Sequence, residues 1–323
     1  MENKYNRRSF LKRAASLGAI IATSQLPIRA EDDPSVFSKR GFHERLALHY
    51  GTVNIGLEKP FSILHISDTH LTAVYPHENE KKQSLHKTRI ASFGGRQEEA
   101  LRDSLEWAKQ HVDYVVHTGD LLDLQSEANF DLVKKYFGNG ICGCVGNHEF
   151  NPDLWLSEPK EEPTEQFKDF TRKKLQEVFP FNMEFHSEVI NGVNFVTLDD
   201  VYSYVTEKQV KLFKNEVQKG LPIVLCLHVP FHTENIWRAT MSFWREADSR
   251  FRTVTPAPSG DYKKQMEDDV TRDFIAYLKT EPLLKAILAG HLHLNIQDQF
   301  SPTATEFVVG GNFLFQGEEI LFF

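Results

Sequence analysis

The sequence is poor in cysteine, in long apolar runs and in residues that favour low-complexity structure. Its 323 residues include only 3 Cys, at positions 142, 144 and 226, which cannot form a fully paired disulfide framework and are predicted to be buried thiols. No apolar run reaches the roughly 18 residues that a membrane-spanning helix needs, so we expect no stable membrane span. Gly at 18 and Pro at 14 are too few for collagen-like sequence. What is left is an ordinary globular chain, long enough to fold without disulfides.

Positive charge is also scarce in most of the chain. There are 37 Lys and Arg against 45 Asp and Glu, which gives a net charge of −8. Residues 1–30 hold six of the basic residues and one of the acidic ones, so the rest of the chain has 31 basic and 44 acidic residues and a net charge of −13. Because an acidic surface repels polyanions, we do not expect a nucleic acid polymer as a partner.

The first 30 residues are predicted to be an export signal. The segment Asn6-Arg7-Arg8-Ser9-Phe10-Leu11-Lys12 precedes a weakly apolar stretch, residues 14–22, that is too short to span a bilayer. This arrangement resembles a twin-arginine signal, which is an address read by a receptor. The resemblance implies export to the periplasm or the cell exterior by the twin-arginine machinery. The alternative is a basic amphipathic helix at the N-terminus.

The remaining residues, 31–323, alternate between apolar segments of strand length and segments with helical periodicity. The strand candidates are residues 61–66, 114–118, 141–145, 193–198, 223–227, 286–288, 307–309 and 320–323. The helix candidates are residues 96–110, 130–137, 165–178, 207–219 and 270–278. Such alternation predicts an α/β fold whose sheets are covered on both faces. We expect a single domain with rim insertions near 151–165 and 232–265.

Polar residues follow five of the apolar strands at the point where each strand ends. The motifs are Asp68-Thr69-His70, Gly119-Asp120-Leu121-Leu122-Asp123, Gly146-Asn147-His148-Glu149, His228, and Gly290-His291-Leu292-His293. Residues two apart on an extended chain point to the same side, so Asp68 and His70 can share one cation. Asp120 offers two oxygens that can bridge two metals, and Asn147 offers a neutral oxygen ligand.

Seven of these side chains form a candidate ligand set for metals. They are Asp68, His70, Asp120, Asn147, His228, His291 and His293. Mixed imidazole and carboxylate donors suit Mn, Fe, Zn or Ni better than Ca or Mg. Two cations about 3.5–4 Å apart would need roughly this many ligands, with one carboxylate shared between them. The sequence therefore predicts a site for two divalent or transition metal ions.

In this order the five motifs resemble those of the calcineurin-like metallophosphoesterase superfamily, over residues 63–313. The resemblance implies an α/β fold, a four-layer αββα sandwich of two mixed sheets flanked by helices. It implies that Asp68, His70 and His293 bind one metal, that Asn147, His228 and His291 bind the second, and that Asp120 bridges them. In the family a hydroxide between the metals attacks phosphorus. By the same resemblance His148 is the general acid for the leaving oxygen, and Asp123 orients it.

The resemblance is to the branch of small bacterial phosphodiesterases and phosphatases. Purple acid phosphatases have Tyr where this chain has Asp123 and lack a His at the position of His70, so the protein is not expected to be purple. We expect an exported enzyme that hydrolyses a small phosphorylated substrate. A diester, a monoester, a nucleotide and a pyrophosphate remain open as the substrate. His232, at the start of the second insertion, is a candidate substrate contact. A metal-bound scaffold without turnover is a further alternative, but a scaffold would not need His148.

Replacing Arg7 and Arg8 together by Lys is expected to keep the protein in the cytoplasm, because the export receptor reads the arginine pair and not only its charge. Cell fractionation followed by immunoblotting measures this, with Arg29→Lys as a matched control that leaves the pair intact. Periplasmic recovery of the double variant equal to that of the wild type would contradict the predicted signal.

Overall fold

The computed structural model describes residues 45–137, 141–151, 165–249 and 268–323. The predicted signal at 1–30 lies outside the described residues. So do positions 152–164 of the first predicted insertion and positions 250–265 of the second. The single-domain organisation stays a prediction.

The first sheet has five strands in the order β1-β11-β2-β3-β4. Their bounds are Ala47–Val53 for β1, Phe61–Ile66 for β2, Tyr114–Thr118 for β3, Ile141–Cys144 for β4 and Gln316–Phe322 for β11. Strands β2, β3 and β4 are parallel to one another, and β11 is antiparallel to β2 but parallel to β1. The carboxyl ends of β2, β3 and β4 therefore lie at one edge of this sheet.

The second sheet has six strands in the order β5-β6-β7-β8-β10-β9. Their bounds are Phe185–Ile190 for β5, Val193–Leu198 for β6, Ile223–Cys226 for β7, Leu284–Ala289 for β8, Ile296–Gln299 for β9 and Thr305–Val308 for β10. The four central strands are parallel, and β5 and β9 run antiparallel at the two edges.

Seven α-helices are found in the described residues. They are α1 (Glu80–Phe93), α2 (Gln97–His111), α3 (Glu127–Tyr136), α4 (Glu165–Leu175), α5 (Glu207–Val217), α6 (Glu234–Ser249) and α7 (Asp269–Leu278), with a short 3-10 helix at Asn312–Leu314. Side chains of Ser126, Thr206 and Asp268 cap the amino ends of α3, α5 and α7. Within the described part of the chain, no helix combines the length and apolar character needed to cross a membrane.

Three apolar clusters set the layers of the fold. One lies between the sheets and joins Ile63 and Ile320 of the first sheet to Phe195 and Val224 of the second. Another packs α2 and α3 against the first sheet, and the third packs α5 and α7 against the second. Each sheet is thus covered on both faces, which is why its central strands are apolar throughout. The predicted αββα sandwich of two mixed sheets is confirmed.

Besides the short 3-10 helix, the structure adds five elements that were not among the strand and helix candidates: β1, β5, β9, α1, and α6 in the second predicted insertion. Strands β5 and β9 are edge strands with exposed polar residues, so neither forms a continuous apolar run. Strand β1 also lies at an edge and is only partly buried. Helix α1 has no buried residue at all, so its sequence carries no apolar stripe.

Candidate metal centre

The five polar motifs meet at one edge of the sandwich. The carboxyl ends of β2, β3 and β4 there face those of β7 and β8. Two hydrogen bonds join the sheets at this edge: the His291 backbone N–H donates to Asp68 Oδ2 at 2.8 Å, and His228 Nδ1 lies 2.7 Å from the Thr118 carbonyl oxygen. Asp68 and His291 are therefore in direct contact, although they are 223 positions apart in the sequence.

The first predicted ligand set converges on one point. The ligand atoms of Asp68, His70 and His293 all lie within 4.8 Å of one another. His293 Nε2 is 3.2 Å from Asp68 Oδ1 and 3.2 Å from His70 Nε2. Two imidazole nitrogens and a carboxylate oxygen that face one another in this way can surround a single cation.

The second set converges beside the first. The ligand atoms of Asp120, His228 and His291 also lie within 4.8 Å of one another, and Asn147 Oδ1 is 3.1 Å from His228 Nε2. Asp120 Oδ2 is 3.4 Å from His228 Nε2 and 3.9 Å from His70 Nε2. Asp120 therefore lies between the two sets, where a shared ligand has to be.

Five of the seven candidate ligands have left-handed backbone conformations. The φ angle is 54° at Asp68, His70, Asp120 and His293, and 67° at His291. This conformation is uncommon outside glycine and costs on the order of 1–3 kcal/mol for each residue. Tertiary hydrogen bonds hold the turns, among them those from the backbone N–H groups of Asp68 and His70 to the carbonyl oxygens of Gly119 and Asp120. Strain of this kind concentrates where side chains must be aimed at a functional site.

Two glycines allow these loops to approach closely. A Cβ atom at Gly119, whose φ is 94°, would lie 2.6 Å from His228 Nδ1. A Cβ atom at Gly290 would lie 2.6 Å from Asp68 Oδ2 and 1.9 Å from Ser67 Oγ. Any larger residue at either position would push a candidate ligand out of place.

The electrostatics of the site suit bound cations. Burial opposes ionisation of Asp68, but His293 outweighs it and holds the pKa of Asp68 below its usual range. Burial and the neighbouring His148 lower the pKa of His70 to about 4. Burial also opposes protonation of His228, but Asp120 raises the pKa of His228 to about 10. The buried carboxylates thus attract positive charge, and Asp68 Oδ1 faces His293 Nε2 at 3.2 Å. The chemistry of this donor set fits bound metal ions.

His148 and Asp123 form a pair beside the ligand sets. His148 Nδ1 lies 2.5 Å from Asp123 Oδ1, and His148 Nε2 lies 3.7 Å from Asp120 Oδ2. Burial lowers the pKa of His148, but the negative charges of Asp120 and Asp123 outweigh it and raise this pKa above its ordinary value. The His148 side chain is 18% exposed, whereas Asp123 is fully buried. The pair therefore places a partly exposed imidazole, whose pKa is raised, beside the ligand sets.

Comparison with known proteins identifies the family of this chain. The family model for calcineurin-like phosphoesterases matches residues 61–295, which is most of the chain. The chain belongs to the calcineurin-like phosphoesterase family. Membership of this metal-dependent family supports a hydrolase of phosphoesters, and the described residues include groups that could hold a metal ion.

Solved structures similar to this chain have low sequence identity to it. A dimetal phosphatase from Danio rerio has 14% identity and a TM-score of 0.44, with 78% of this chain and 88% of that chain covered. A phosphopantetheinyl hydrolase from Mycobacterium tuberculosis has 13% identity and a TM-score of 0.40, with coverage of 78% and 90%. A 5′-nucleotidase from Candida albicans has 12% identity and a TM-score of 0.37, with 83% of this chain but only 48% of that chain covered. A search of curated proteins found no match.

Two residues of this calcineurin-like site were not predicted from the sequence. Arg89 binds Asp123 through two nitrogens, Nε to Oδ2 at 2.5 Å and Nη2 to Oδ1 at 2.8 Å. Glu149 is buried and accepts hydrogen bonds from the backbone N–H groups of Asp120, Leu122 and Gly146 at 2.7–3.1 Å. Glu149 belongs to a recognised motif, so its position was a signal. Arg89 lies on α1, which has no apolar pattern, so no sequence signal pointed to Arg89.

His232 lies at the start of the second insertion, as predicted, just before α6. Among the described residues its aromatic neighbour is Trp237, with ring centroids 6.4 Å apart, and burial lowers the pKa of His232. Its proposed contact with substrate stays a prediction.

Proposed function

We propose that this protein is an exported phosphoesterase that uses two metal ions to hydrolyse a small phosphorylated substrate. The observation that supports it best is the convergence of seven ligand groups in two adjacent sets with Asp120 between them. Strain at five of these residues supports a functional rather than a structural reason for that convergence.

In this proposal the two sets have separate tasks. Asp68, His70 and His293 hold one metal, and Asn147, His228 and His291 hold the other. Asp120 would be the shared ligand, because its carboxylate lies near His70 of one set and His228 of the other. Bound cations would supply activation of a water molecule and stabilisation of the charge that develops on the phosphoryl oxygens.

His148 is the proposed general acid. Its Nδ1 is bound to Asp123, so Nε2 is the nitrogen that remains to donate a proton to the leaving oxygen. That Nε2 lies 3.7 Å from Asp120 Oδ2, beside the two ligand sets. Asp123 orients the ring and stabilises its protonated form. A non-catalytic scaffold would have no use for this arrangement.

The leaving group and the number of ester bonds in the substrate are the open part of the proposal. A phosphodiester is the first candidate, and a phosphomonoester or a nucleotide is the alternative. Residues 152–164 and 250–267, which include most of the predicted rims, lie outside the described residues.

A hydrolysis panel tests the proposed function. The protein, supplied with Mn²⁺ or Zn²⁺, is expected to hydrolyse at least one member of a set made of bis-p-nitrophenyl phosphate, p-nitrophenyl phosphate, cyclic nucleotides and phospholipid head groups. The same protein treated with a chelator is the control and should be inactive, because the metals activate the water. Metal-loaded protein that hydrolyses none of these esters would favour the scaffold alternative.

His148→Ala is expected to leave metal content unchanged and to lower kcat by roughly 10²–10⁴ on an ester with an alkyl leaving group. The loss should be smaller on a nitrophenyl ester, since a nitrophenolate leaves without a proton. Steady-state kinetics on the two esters, with metal analysis in parallel, measures both effects. Equal losses on the two esters, or loss of metal, would show that His148 is not the proton donor.

A further inference from the structure

Helix α1 is held to the rest of the protein by polar and aromatic contacts rather than by an apolar face. None of its 14 residues is buried, although Asn79 and Gly94 cap its two ends. A helix without an apolar face gains little from hydrophobic packing, so other contacts must fix its position. Near its carboxyl end, Arg89 binds Asp123, and the Phe93 ring stacks on the His70 ring with centroids 4.0 Å apart. Helix α1 therefore reaches the site through these two side chains.

The contact between Arg89 and Asp123 is a two-point ion pair with a buried carboxylate. Both oxygens of Asp123 are used, Oδ2 by Arg89 Nε and Oδ1 by Arg89 Nη2. Parallel bonds from the planar guanidinium fix the plane of a carboxylate as well as its position. The same Oδ1 is the partner of His148 Nδ1. Arg89, Asp123 and His148 therefore form one chain of hydrogen bonds.

Arg89 is the residue that keeps the Asp123 carboxylate from turning. Among the described side chains, the other two near this carboxylate face Oδ1: His148 Nδ1 at 2.5 Å and His70 Nδ1 at 3.6 Å. Without Arg89, nothing recorded among the described side chains would hold Oδ2, and the carboxylate could rotate about its Cβ–Cγ bond. The direction of the Oδ1 lone pairs, and with it the aim of His148 Nε2, would then vary.

Arg89 also balances a buried charge. The Asp123 side chain is fully buried, whereas the Arg89 side chain is 24% exposed. A buried carboxylate without a cation is costly, and a desolvated ion pair with good geometry reduces that cost. Because two of its nitrogens bind Asp123, the guanidinium is poorly placed to act as a free phosphate-binding group.

We propose that Arg89 is a positioning residue for the proton donor, holding Asp123 so that Asp123 holds His148 at the leaving oxygen. The inference rests on the proposed role of His148 as general acid. It predicts that Arg89 acts on the reaction only through His148.

A double-mutant cycle tests this dependence. On an alkyl ester, Arg89→Ala is expected to lower kcat by on the order of 10-fold or more, within the roughly 10²–10⁴ contributed by the acid itself. The effect on KM and on metal content should be small, because Arg89 contacts neither substrate nor ligand in the proposal. In the His148→Ala background, Arg89→Ala should cause no further loss in kcat. Independent, multiplicative losses in the double variant would overturn the inference.

The variants Arg89→Lys and Lys82→Ala separate positioning from helix docking. A Lys ammonium group cannot make two parallel hydrogen bonds to the Asp123 carboxylate, so Arg89→Lys should have a kcat between those of Arg89→Ala and the wild type. Added guanidinium should raise the kcat of Arg89→Ala. Lys82 is the matched control: it lies two turns earlier on α1, is also 24% exposed, and binds the buried Glu78 at 2.9 Å. Lys82→Ala should leave kcat unchanged. A loss equal to that of Arg89→Ala would mean that docking of α1 is what matters, and would overturn the inference.

An NMR measurement tests the position of the His148 ring without relying on turnover. In the zinc-loaded protein, the Nδ1–H proton of His148 should give a slowly exchanging, downfield NMR signal, assigned by its absence in His148→Ala. That signal should broaden or disappear in Arg89→Ala and persist in Lys82→Ala. An unchanged signal in Arg89→Ala would contradict the positioning role whether or not the proposed activity is found. If His148→Ala shows no dependence on the leaving group, it is the proposed acid that fails.

Discussion

The carboxylate of Asp120 lies at the junction of two sheets, almost entirely out of contact with water, and its negative charge must be balanced there. Its Oδ2 has three imidazoles within 3.4–3.9 Å, those of His228, His148 and His70. The other carboxylate oxygen accepts the backbone N–H of His148 at 2.8 Å, and Glu149 holds the backbone N–H of Asp120 itself. The position of this single side chain therefore sets the position of both ligand sets and of the proposed acid.

The sandwich brings these groups together for a simple physical reason. Parallel strands that are apolar on both faces must be covered on both sides, so the two sheets share a core and helices cover the outside. The carboxyl ends of β2, β3 and β4 then face those of β7 and β8. Polar residues placed just after the strands have only the space between the two edges to occupy. Left-handed turns at five of them aim the side chains into this space, at the cost of backbone strain.

The sequence predicts the parts of the fold and site that have a local signature. Each motif follows an apolar run directly, so Asp68, Asp120, Asn147, His228 and His291 could be found without knowledge of the tertiary structure. The edge strand β9, Ile296–Gln299, was missed because its exposed polar residues break the apolar pattern. Helix α1 was missed because it buries none of its residues, and Arg89 was missed with it. The contact of Arg89 with Asp123 depends on tertiary packing, so the sequence around Arg89 does not predict it.

Metal content is the most direct measure of the central claim that two adjacent ligand sets share Asp120. The measurement is elemental analysis of protein purified without chelator, for the wild type and for Asp120→Asn. About two ions of Mn, Fe, Zn or Ni per chain are expected in the wild type, since the site holds two ligand sets. Asp120→Asn keeps the shape of the side chain but removes the charge that both ions share, so it should lose more metal than a change in either set alone. Two results would contradict the claim that the two ligand sets share Asp120. One is a wild-type metal content near zero that added Mn, Zn or Fe does not raise, and the other is full metal content in Asp120→Asn.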